Sequence, residues 1–83
     1  MTQNDNVATE LSFGQKAVGV TFNPAGDEKV TKIKNTCAAA IDQLDDFRNT
    51  EGTSSNAKRH ASIAITELES ACMRAVKALT WKD

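Results

Sequence analysis

Residues 28–80 read EKVTKIKNTCAAAIDQLDDFRNTEGTSSNAKRHASIAITELESACMRAVKALT, and this stretch decides the fold. In its first part Val30, Ile33, Cys37, Ala40, Leu44 and Phe47 recur at alternating steps of three and four, with Ile41 beside them. That is the rhythm of one apolar helix face. Asp27 stands ahead of it as an N-cap, and Glu28 suits the positive end of the helix dipole. Ala61, Ile65, Leu68, Cys72, Ala75 and Leu79 repeat the rhythm further on. Between the two lies Asn49-Thr50-Glu51-Gly52-Thr53-Ser54-Ser55, where Gly52 can end one helix and Ser54 or Ser55 can cap the next. The expected fold is therefore all-α: helices over about 28–49 and 56–80 forming an antiparallel hairpin.

Outward from the hairpin the signals weaken. Asn23-Pro24-Ala25-Gly26-Asp27 is a turn cluster holding the only proline. Residues 11–22 contain Gly14 and Gly19 among Val18, Val20 and Phe22, which suits an extended segment or weak edge strand and supports a helix poorly, with a short helix or an arm reaching a neighbour as the alternatives. Residues 1–10 are polar and read as a frayed leader, with neither the basic start nor the apolar stretch of a signal peptide. The chain thus divides into a flexible or extended arm, 1–21, and a hairpin domain, 22–83.

At 83 residues the chain suits one small domain. Ten Lys and Arg against eleven Asp and Glu leave a net charge of −1, which argues against polymeric nucleic acid as a partner. No apolar run is long enough to span a membrane. The cytoplasm is the expected location. Cys37 and Cys72 lack metal-ligand spacing and read as small, reduced, buried hydrophobes. His60 is the only histidine, so neither a metal site nor a catalytic triad is expected, and no cofactor or enzymatic activity. A hairpin has one internal seam, and it cannot bury Phe22, Phe47, Met73, Val76, Leu79 and Trp81 alone. With no disulfide or metal to help, self-association is the expected remedy.

Folding the hairpin about residue 52 sets residue i beside roughly 104 − i. Lys29, Lys32 and Lys34 then meet Arg74, Lys77 and Lys82 at the open end, while Asp42, Asp45 and Asp46 fall near Lys58 and Arg59. Three lysines at a helix start oppose the dipole, at about a few tenths of a kcal/mol each. The same start, after a glycine-containing turn, offers free N–H groups to an anion. A phosphate-bearing ligand would account for the cations; a solvated end would too. Phe47 is expected in the seam. Phe22, beside the basic pole, is either a stacking ring for a nucleobase or a plug over the hairpin end. Trp81 anchors the terminus or an oligomer contact.

Phe22-Asn23-Pro24-Ala25-Gly26-Asp27, then Val30, Ile33-Lys34 and Ile41-Asp42, then Ala64-Ile65-Thr66, Glu69, Met73, Ala75-Val76-Lys77-Ala78 and Thr80-Trp81 resemble the small phage and prophage anti-CBASS cyclic-nucleotide sponges. Their helical hairpin is shared with anti-Thoeris sponges. The resemblance covers roughly residues 22–82 and implies a compact homo-oligomer, a hexamer in known members. It implies a protein that sequesters cyclic di- and trinucleotide alarm signals (3′,3′-linked cGAMP-like and cyclic tri-AMP-like) in the host bacterial cytoplasm without cleaving them. It gives Lys34 the ligand-holding lysine role, Phe22 (with Phe13 as rival) the stacking role, and Thr36 a place in a trinucleotide site. The family aromatic is often tyrosine, which this chain lacks, and Arg74 stands where an aromatic is common. Candidate ligand-binding residues are therefore Phe22, Asn23, Pro24, Lys34, Thr36, Arg74 and Lys77. A Lys34→Glu change is expected to remove binding and spare the helices. The competing reading is a helical adaptor that binds a host protein through Met73, Val76 and Leu79.

Overall fold

The structure, a computed structural model, describes residues 10–83; all but the last residue of the leader expected over residues 1–10 lies outside them. Three helices and no strand are found among the described residues: α1, Phe13–Val18; α2, Glu28–Arg48; and α3, Ser55–Leu79. α2 and α3 form the hairpin. α1 lies mainly against α2 and touches α3 lightly.

Of the alternatives open for residues 11–22, the structure forms the short helix, α1, and not an edge strand. Its start carries a capping box: the Ser12 hydroxyl accepts from the Gln15 N–H, and the Gln15 side chain accepts from the Ser12 N–H. Its end is Gly19 in the left-handed region at φ 65°, with the Gly19 and Val20 N–H groups donating back to Lys16 and Gln15 carbonyls. Gly14, a poor helix former, is present because α2 passes so close. A Cβ there would collide with the Ala38 carbonyl oxygen. The Gly14 N–H also donates to Asp42 Oδ1 at 2.6 Å, which ties α1 to α2.

The buried seam comprises Val30, Lys34, Cys37, Ala38 and Ile41 of α2 with Ala61, Ile65 and Cys72 of α3. Both cysteines are free and buried. Phe47 does not join them; it is 48% exposed. At about 100° per residue, Arg48 returns to the face of Val30 after roughly five turns, and Phe47 is swung about 100° away. Arg48 fills the seam end, donating to Asp45 Oδ1 at 2.9 Å and Ser62 Oγ at 3.0 Å. Its guanidinium also lies 5.3 Å from the Phe13 ring. Leu79, at the last turn of α3, is likewise exposed.

The expected charge map changes accordingly. Arg48–Asp45 is the one ion pair among the described residues. Asp45 is therefore matched by Arg48 rather than Lys58 or Arg59, and Asp42 serves Gly14.

Candidate functional site

The turn that carries Phe22 is built by its own polar groups. The Asn23 amide donates to the Asp27 carbonyl at 3.0 Å and to Thr31 Oγ1 at 2.9 Å, and its oxygen accepts from the Asp27 N–H at 3.2 Å. Asp27 caps α2 by accepting from the Lys29 and Val30 N–H groups. The anion site expected at this helix start is thus occupied by the chain's own carboxylate.

Lys34 is the unusual residue of the seam. It is only 6% exposed, and its ammonium donates to the carbonyls of Gly19 (3.0 Å) and Phe22. Those two carbonyls bound a turn that the Phe22 N–H closes onto Gly19 O at 2.9 Å. The Phe22 ring centre lies 5.5 Å from the same ammonium, yet the ring is 74% exposed. An ammonium has three N–H donors, of which two are used here. No carboxylate lies within ion-pair distance of it among the described residues. A buried charge without a counter-ion is costly, and the two carbonyls meet part of that cost.

Two clefts open on either side of Phe22 and Lys34. The inner cleft, about 530 Å³, is bounded by α1 residues Ala17 and Val18 and by Glu69, Met73 and Val76 of α3. The outer cleft, about 500 Å³, adds Asn23 and Pro24 and faces Leu79, Trp81 and Lys82. Both volumes fall in the range of about 300–1,000 Å³ usual for ligand sites. Arg74 and Lys77 line a third depression with Ala78 and Trp81, and Lys77 sits 5.9 Å over the Trp81 ring.

The expected basic pole is therefore divided: Lys34 and Lys82 border the outer cleft, Arg74 and Lys77 the third depression, and Lys29 and Lys32 none of the three. Thr36 borders none either. It is about 200° around α2 from Lys34, exposed, with its hydroxyl donating to the Lys32 carbonyl at 3.0 Å. Phe13 lines none of these three. The clefts also hold residues outside the sequence candidates, Trp81 and Glu69 among them. The hairpin register could have found Glu69, since it sets Lys34 beside residue 70.

Fold and site together define a class: small helical-hairpin proteins with a buried cation beneath an exposed aromatic ring. The chain belongs to the family Acb2/Tad1, hairpin domain, which it matches over residues 15–80, a stretch that begins inside α1. Membership places it with sponge-type phage proteins, which are binding proteins rather than enzymes. Comparison with curated proteins and with solved structures finds no match. No helix of the described residues is long and apolar enough to cross a membrane.

Proposed function

We propose that this protein sequesters cyclic oligonucleotide second messengers, cyclic dinucleotides foremost and cyclic trinucleotides as a second class, and so blunts host CBASS signalling in the bacterial cytoplasm. The observation that carries this reading is the Lys34 ammonium: buried, without an ion-pair partner, and set beneath the exposed Phe22 ring between two clefts. A cyclic dinucleotide supplies the missing anion and a base face. Its phosphate takes the third N–H of Lys34 in a charge-assisted hydrogen bond, and a base stacks on Phe22. Asn23 and Pro24 hold the ring's turn in place; Arg74 and Lys77 offer a second phosphate contact. Thr36 acts apart from this site, where protomers would converge on a trinucleotide. Homo-oligomerisation, as a hexamer by family likeness, covers the apolar side chains left on the protomer surface.

Calorimetric titration with cyclic di- and trinucleotides, linear dinucleotides serving as controls, tests the reading. Tight binding of cyclic species with the ligand recovered intact is expected, weakened by about 1–3 kcal/mol in Phe22→Ala. If no cyclic species binds, the reading fails and the helical adaptor replaces it, with Met73 (69% exposed), Val76 and Leu79 as its contact surface.

A further inference from the structure

The inner cleft contains a group that a phosphate does not explain. Glu69 lines it together with Lys34 and Phe22. The residue is half-buried, and its carboxylate makes no ion pair with Lys34 or any other described residue. A negative charge on the wall of a cleft that receives a polyanion repels the ligand unless the ligand brings hydrogen-bond donors to it. A carboxylate only accepts, and does so with two oxygens side by side. Among nucleobases, guanine alone presents two adjacent donors on one edge, its N1–H and exocyclic N2 amino group. Adenine and cytosine each offer a single amino group beside an acceptor nitrogen.

We infer that Glu69 is the specificity-determining residue of the inner cleft and selects a guanine base through its N1–H and N2–H edge. The inference rests on the sponge reading above and adds the base preference to it. The three polar or aromatic features of the cleft then match three features of one guanine nucleotide: Phe22 the base face, Lys34 the phosphate, Glu69 the donor edge. Ala17, Val18 and Val76 supply the apolar wall.

The test is titration of the full chain, wild type and Glu69→Gln, with three cyclic dinucleotides bearing two guanines, two adenines or two hypoxanthines. Hypoxanthine keeps N1–H and lacks the 2-amino group. The wild type is expected to favour guanine over adenine by about tenfold or more, with hypoxanthine between them. In Glu69→Gln the guanine-to-adenine ratio is expected to fall towards unity, with circular dichroism and sedimentation matching the wild type. Equal wild-type affinity for guanine and adenine overturns the inference, as does a ratio preserved in Glu69→Gln. Equal affinity for guanine and hypoxanthine overturns the two-point contact. If the wild type binds none of the three dinucleotides and no cyclic trinucleotide, the sponge reading itself fails, a result distinct from binding without base preference.

Discussion

Lys34 holds two carbonyls and faces a ring at once, so a change there moves both the turn and the site. Lys34→Glu would bury an anion against carbonyl oxygens and unfold the local structure, which corrects the expectation that it spares the fold. Lys34→Met keeps the apolar stem and removes the charge. It is expected to cost about 1–3 kcal/mol in stability, read by denaturant midpoint, because the Phe22 carbonyl loses its donor. Cyclic-dinucleotide affinity should drop about tenfold or more; wild-type affinity in this variant would place the phosphate elsewhere. Cys72 makes a second residue-scale prediction. Burial, then the hydrogen bond and charge of Cys37, push its thiol from 9.0 up to about 11, against the opposing pull of Lys34. The folded protein therefore holds this proton more tightly than the unfolded chain. The stability it confers is complete below pH 9 and is lost as pH rises towards 11. Denaturant midpoints across that window should fall in the wild type and fall less in Cys72→Ala.

At the scale of elements, α1 depends on Gly14. The space a side chain would need is taken by the Ala38 carbonyl and Asp42. Gly14→Ala is expected to push α1 off α2, at about 1–3 kcal/mol, seen as a lower melting temperature. An unchanged melting temperature would mean that α1 can shift without cost. The hairpin helices were legible because an apolar face at helical spacing is a property of the segment itself. α1 stays open between strand and helix in the sequence, because Gly14 and Gly19 are poor helix formers standing among residues that suit either. Only the path of α2 shows that Gly14 is a contact, and only the cap geometry shows that Gly19 is a stop. Phe47 was misplaced for a related reason. Steps of three and four drift from the true pitch over a long helix, and near its end Arg48 faces the seam.

At the scale of the whole molecule, the protomer leaves Phe22, Met73, Trp81, Phe47, Phe13 and Ile63 exposed, more apolar surface than so small a domain covers alone. Association coupled to folding makes stability depend on concentration. The melting temperature is therefore expected to rise with protein concentration, and sedimentation to give a mass well above the 8.9 kDa of one chain. A concentration-independent melt at monomer mass would count against the oligomer.

The sequence by itself determined the paired helices, their turn, the buried cysteines and the residues that carry the family likeness, because periodicity, caps and breakers act over a few neighbours. It did not determine the site. Whether Lys34 is a solvated surface charge or a buried latch depends on the Gly19–Phe22 turn, which arrives from the other side of the α1 contact. The clefts beside it exist only where α1, that turn and the end of α3 converge. Solvation of a charge is set by everything packed around it, and that is decided by the tertiary structure.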